Sequence, residues 1–366
     1  MSLNYLLGAL FTDPDVGDDH AGLRDLANNL GRRAATARTG ARSVDQQFDT
    51  ELWRHLVDTG LHRITSTEDS AAGPIESAVA LHALARHSAA VPIAETDLLG
   101  AWLARMAGLD TPDEVPLTVA VADDYREDGR NLAGTANGVP WASDATVLLA
   151  VPTRDHLMVT VADGAVLGGR NLAGEPRGSL PFDLPRAGFV ALDRRVLAEL
   201  TRRGAWARCV QIVGALDTAA QLSAAHARSR SQFGRPLTQF QSVQHSLAHL
   251  AGETERARSA TTLAIAAAAA HGFDSVEADH SVTVAKVTLG QVVPTVTTIA
   301  HQLHGAIGVT LEHDLWMSTM RARSWIDEFG RTTDYAVKLG RLVLDASRLP
   351  AGPWDAVFGV HPSVIG

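Results

Sequence analysis

The chain has 366 residues, 46% of them hydrophobic and 20% charged, a globular composition with room for two or three domains of ~100–200 residues. A net charge of −9 argues against nucleic acid as the main partner, which would need clustered Lys and Arg, but leaves room for a small anion gripped by one or two arginines. One cysteine, Cys209, excludes an intramolecular disulfide and fits a reducing compartment. No basic n-region leads the chain, and its most apolar stretch, residues 260–270, is about half a bilayer span, so a soluble cytoplasmic protein is expected.

Residues 1–115 read as an N-terminal helical domain. Stretches 21–37, 48–61 and 75–87 place apolar residues at three- and four-residue spacing, which lines one helix face. Asp49-Thr50-Glu51 caps the start of the second, Gly60 ends it, and Pro74 stands where the third begins. Residues 116–195 change pattern. Here 117–122, 147–152, 157–162 and 188–192 are short β-branched runs, with turns expected at Asn137-Gly138, Asp163-Gly164 and Gly168-Gly169.

From 196 to 350 the chain is helical again, in longer pieces. The first covers 205–229. The second opens on Thr238-Gln239-Phe240-Gln241, a Thr-x-x-Gln capping box, and runs to His271-Gly272. Asp274-Ser275-Val276-Glu277 opens a third, which ends at His304-Gly305 and carries Pro294 as an expected kink. Stretches 312–329 and 332–348 complete the bundle, and 351–366 is a tail. The expected fold is mainly α with a central small β domain and a C-terminal four-helix bundle.

Two stretches carry candidate chemistry. In SRSQFGRPLTQFQSVQH, residues 229–245, Arg230 stands at a helix end and Gly234 interrupts the helix. A guanidinium there can grip a phosphate through two parallel hydrogen bonds, or simply meet the negative end of its own helix, with Gly234 as a cap. In His301-Gln302-Leu303-His304-Gly305-Ala306-Ile307-Gly308 the glycines either expose backbone N–H groups to an anion or only close a helix. His245 with His249, and His301 with His304, lie one turn apart, yet neither pair has the carboxylate of a His-Glu-x-x-His site. No Gly-x-Ser-x-Gly context suggests a hydrolase.

Taken together, RSQFGRPLTQFQ, QLHGAIGVTLEHDL and the early LWRHLVDTGLHRI resemble the acyl-CoA dehydrogenase family over almost the whole chain. The resemblance implies an oligomer that binds FAD between subunits. It assigns contacts to the flavin's adenosine and pyrophosphate to Arg230, Gln232, Phe233 and Gln241, and to Gln302, His304, Gly305 and Ala306. It also implies desaturation of an acyl-CoA between Cα and Cβ, with a carboxylate as base and an electron-transfer acceptor downstream.

The base is missing from both positions the family uses. Ala207 occupies one and Phe329 the other; Glu328 and Asp327 are neighbours of the second and the remaining candidates. One residue along a helix is a rotation of roughly 100°. The Thr-Glu-Pro-x-x-Gly-Ser segment that meets flavin in the family is absent from 117–129. Trp141 either survives from the family's Trp-Ile-Thr segment beside the flavin ring or closes the sheet. The pattern implies a subunit that completes the FAD site of a second, glutamate-bearing acyl-CoA dehydrogenase-like chain. Such two-plus-two heterotetramers act on steroid- and cholesterol-derived acyl-CoAs. A self-sufficient enzyme using Glu328 or Asp327, and a flavin-free scaffold or acyl-CoA-binding pseudoenzyme, are the alternatives.

Overall fold

The computed structural model describes residues 19–38, 43–67, 72–122 and 124–346; the expected tail lies outside them. The chain divides into two compact units, one spanning Gly22–Ala207 and the other comprising, among the described residues, 19–21 and 208–346.

The first unit opens with α1 (Ala21–Ala37), α2 (Thr50–Asp58) and α3 (Pro74–Arg86). Asp49 caps α2 by accepting from the Leu52 N–H at 2.9 Å, and Gly60, at φ 74°, turns the chain out of it. Leu52, Trp53 and Leu56 form the buried face of α2. Pro74 begins α3 as expected, and the Glu76 carboxylate accepts from Gly73 N–H at 2.7 Å. The periodicity did not reveal the next element, a π-helical turn at Glu95–Ala101 that runs into α4 (Trp102–Ala107). It is buried throughout. A side chain at Gly100 would lie 2.6 Å from Leu117 Cβ, so only glycine lets the following strand pack this closely.

Seven strands follow: β1 (Leu117–Val121), β2 (Tyr125–Glu127), β3 (Asn131–Pro140), β4 (Thr146–Pro152), β5 (His156–Ala162), β6 (Arg177–Pro185) and β7 (Val190–Asp193). They form two sheets, ordered β1-β4-β5-β7 and β2-β3-β6, with β1 parallel to β4. Leu132, Leu149, Val151, Met158, Leu180 and Phe182 are buried in their shared core. The turn expected at Asn137-Gly138 is instead a bulge inside β3: pairing with β6 shifts between Ala136 and Val139, and Gly138 takes φ 67°. A bulge absorbs extra residues without ending the strand, so an Asn-Gly signal alone does not mark a hairpin. Strands β2, β3 and β6 escaped the sequence reading because they are short of β-branched residues.

The second unit is the helical bundle. Helix α5 (Arg195–Ser229) begins ten residues before the expected start and supplies its residues from Arg208 onward to this unit. Helices α6 (Gln241–His271) and α7 (Val276–His304) follow, then α8 (Leu315–Trp325) and α9 (Thr332–Ala346). Ser275 caps α7 by accepting from Ala278 N–H at 3.1 Å. The Thr238 capping box does not form. Residues Leu237–Gln239 make a 3-10 turn, α6 starts at Gln241 after Phe240, and no side chain caps it. Pro294 lies within α7, which continues to His304 as one element. The helix expected over 312–329 is confined to Leu315–Trp325, because the backbone turns left-handed at Phe329. Helix α7 is apolar enough in composition to cross a membrane, but it is a core helix of the bundle, with Val282, Leu289, Val293 and Val296 buried.

Candidate functional site

Helix α5 ends where a backbone bond from Arg230 N–H to His226 O, 2.9 Å, closes its last turn. A two-stranded hairpin follows, β8 (Ser231–Gln232) with β9 (Arg235–Pro236), in place of the expected helix break. Its two loop residues, Phe233 and Gly234, both have positive φ, 52° and 77°, the pattern of a type I′ turn. Gly234 is therefore a hairpin residue rather than a helix cap. Phe233 is 92% exposed, and its ring meets Phe240 edge-on at 6.3 Å. The Arg235 guanidinium sits over that Phe240 ring at 4.1 Å.

The second motif comes to the same place. The His304 ring, at the end of α7, stacks on His226 at 4.5 Å and meets His313 edge-on at 4.7 Å. His304 donates from Nδ1 to Ala300 O at 2.8 Å, and its Nε2 is buried with no partner among the described residues. Burial, then the neighbouring His304 and His313, lower the pKa of His226. Arg230, Gln232, Gln241, Gln302, Gly305 and Ala306 are all exposed. Among the described residues no hydrogen bond or ion pair engages the side chains of Arg230, Gln232, Gln241 or Gln302. Gly305 has φ 66° and open space where a Cβ would stand. Open amides, a free guanidinium, open space at Gly305, whose N–H closes the helix on His301 O, and an unpartnered imidazole nitrogen fit the adenosine and pyrophosphate of a dinucleotide.

A very different arrangement surrounds the base candidates. Glu328 is held by Arg208, with Nε donating to Oε2 at 2.6 Å. Arg208 is 2% exposed and also donates to Gln211 Oε1 at 2.6 Å. The ion pair thus joins the residue after Ala207 to the residue before Phe329, and Ala207 and Phe329 are the two positions to which the family resemblance assigns the base. A general base must keep a lone pair free for the substrate proton and sit in a dry pocket. Glu328 commits its carboxylate to a guanidinium, and Asp327 is exposed. Phe329 is half-buried with φ 56°. The sequence reading missed Arg208 and Lys286. Lys286 does leave a signal: it is the single charge in the apolar run 281–300.

Trp141 is 3% exposed, with φ 54°, and its ring packs near Phe48 at 6.3 Å. Of its two readings, that burial favours the one in which it closes the sheet. Among the described residues, three of the four non-glycine residues at positive φ are therefore aromatic (Trp141, Phe233, Phe329), each at a position singled out by the family motifs. His245 and His249 are exposed on α6, while His301 pairs its Nε2 with Thr319 Oγ1 at 2.8 Å. Among the described residues no group of three or more His, Cys, Asp or Glu is arranged to hold a metal.

The chain is similar in sequence and fold to known proteins. The family model described as acyl-CoA dehydrogenase, C-terminal domain, matches residues 195–327. Acyl-CoA dehydrogenase FadE27 of Mycobacterium tuberculosis is 27% identical over 383 residues, covering 90% of this chain and 98% of that protein. Acyl-CoA dehydrogenase IpdE2 of Mycolicibacterium smegmatis is 31% identical over 110 residues, 30% of this chain and 32% of that one. Among solved structures, a chain of the ChsE4-ChsE5 complex from Mycobacterium tuberculosis superposes with a TM-score of 0.79 at 23% identity, covering 94% of this chain and 99% of that chain. A chain of a variant of the Tcur3481-Tcur3483 steroid ACAD gives 0.77 at 25% identity, with 95% and 100% covered.

Proposed function

Because the chain belongs to the acyl-CoA dehydrogenase family, flavoprotein oxidoreductases that act on CH–CH bonds, we propose that it is the non-catalytic subunit of a heteromeric member of that family. Its sister chain carries the glutamate that this one lacks. The observation that carries the reading is the ion pair between Arg208 and Glu328, which takes the nearest carboxylate out of service while Arg230 and its neighbours stay open.

The division of labour follows from the residues. Arg230 grips a pyrophosphate with a planar guanidinium on a fixed helix end. Gln232, Gln241 and Gln302 would offer amides to phosphate and ribose, Gly305, whose own N–H is bonded to His301 O, would leave room for a close approach beside Ala306, and Phe233 would cover the adenine side. When bound, FAD supplies the acceptor for the hydride leaving Cβ of the acyl-CoA. The Cα proton would go to the sister chain's carboxylate, and a separate electron-transfer partner is expected. The pairing with an unlike chain and a steroid-derived acyl group are supported by the two-component names of the similar complexes. A reducing cytoplasm accords with the single buried thiol.

The reading is tested by making the chain alone and together with a glutamate-bearing sister chain. Alone it is colourless; together the pair is yellow and desaturates an acyl-CoA. Replacing Arg230→Ala in the pair lowers flavin affinity roughly 10- to 100-fold, the range for losing a charge-assisted bidentate contact. A yellow, active protein without any partner would overturn the proposal. Unchanged flavin content in the Arg230→Ala pair would point instead to a flavin-free scaffold.

A further inference from the structure

The segment joining α8 to α9 is held from three helices. Lys286 of α7, with no exposed surface, donates from Nζ to Ile326 O and, at 2.9 Å, to Glu328 O. Tyr335 of α9 donates its hydroxyl to Phe329 O at 2.9 Å. Arg208 of α5 holds the Glu328 carboxylate, and its guanidinium carbon lies 5.7 Å from the centroid of the Phe329 ring. The Lys286 ammonium lies 5.5 Å from the Tyr335 ring, which ties the cluster together. Within this grip the backbone turns left-handed at two successive residues, Phe329 at φ 56° and Gly330 at φ 107°. A residue with a large side chain keeps such a conformation only where its surroundings over-determine it. A buried ammonium is likewise tolerated only when hydrogen-bonded, and here both bonds serve one short loop.

We propose that Arg208, Lys286 and Tyr335 are positioning residues that lock this loop with Phe329 in the base position, so that the chain's own acyl place is closed to substrate. The inference rests on the functional reading above and extends it: the missing base is accompanied by an obstruction. A base must come within hydrogen-bond reach of the Cα proton. An aromatic ring fixed at that point takes the room the thioester needs, and the lock keeps it from swinging aside. Arg208 contributes twice, by holding the loop and by keeping Glu328 as a counter-ion.

The test uses the complex with the sister chain, titrated with the α,β-unsaturated CoA product, which binds without further oxidation. Unmodified complex binds one equivalent per unlike pair. Phe329→Ala and Arg208→Gln raise the stoichiometry toward two, whereas Arg208→Lys, which keeps the charge, stays at one. Amide exchange over 327–331 speeds up at least tenfold in Arg208→Gln and Lys286→Met. Two equivalents in the unmodified complex overturn the proposal. So does one equivalent in both Phe329→Ala and Arg208→Gln, even with faster exchange, because the cluster is then only a structural junction. Failure of the functional reading has a different signature: no complex forms with a glutamate-bearing chain.

Discussion

The two candidate regions differ in how their polar groups are satisfied. At the hairpin and the 302–306 loop, amides and a guanidinium are left open and one imidazole nitrogen is buried without a partner among the described residues. At the 326–330 loop the arginine, the lysine and the glutamate all find protein partners. Buried polar groups that the chain satisfies internally have nothing left to offer a ligand. On the proposed function, the open region receives a molecule from outside and the locked region excludes one.

The strongest way to break this contrast is to attack the locked region. Glu328→Gln removes the Glu328 charge from the buried Arg208 guanidinium and lowers stability by about 3 kcal/mol, read from the urea midpoint. Arg208→Met with Glu328→Leu recovers most of that loss, because an apolar pair removes the desolvation penalty of both charges. If Glu328→Gln is neutral, the pair is a surface contact and the contrast fails.

Alkaline pH gives a smaller, graded effect. Cys209 lies next to Arg208 in sequence, fully buried, and burial pushes its thiol up to about 12. Above pH ~9 the unfolded thiol has lost its proton while the native one keeps it, so the native state is disfavoured as pH rises. The slope is about 1.4 kcal/mol per pH unit from this group, and it ends as pH passes the native value. Comparing urea midpoints at pH ~8 and ~10.5 with those of Cys209→Ala isolates it; identical slopes in the two proteins refute the assignment.

The smallest effect sharpens the open region. Phe233 occupies a turn position that favours Asn, so Phe233→Asn leaves stability unchanged or raises it by about 0.5 kcal/mol. The same change lowers flavin retention of the complex. A residue that weakens binding when replaced, yet costs nothing when lost from the fold, is there for the ligand. If Phe233→Asn unfolds the hairpin, which circular dichroism and amide exchange detect, the ring is structural instead.

The legibility of the fold varied with how local each signal is. Helix α1 was readable to the residue because its apolar stripe repeats along the whole helix. The caps show the limit of such patterns. Ser275 and Thr238 each precede a similar polar spacing, but only Ser275 accepts a backbone bond, because the Pro236-Leu237 turn delays the start of α6 past Thr238. Strand β3 hid behind an Asn-Gly that bulges instead of turning, since its flanks pair with the distant strand β6.

By itself the sequence determined the family resemblance, the two motifs and the absence of a carboxylate at 207 and 329. All of these are matters of residue type at fixed spacing. Only the tertiary structure decided that Arg208 would neutralise Glu328 across 120 positions, and that Lys286 would clamp carbonyls 40 and 42 positions away. Such pairings depend on distance through space and on the loss of water around buried charge. No periodicity along the chain records either quantity.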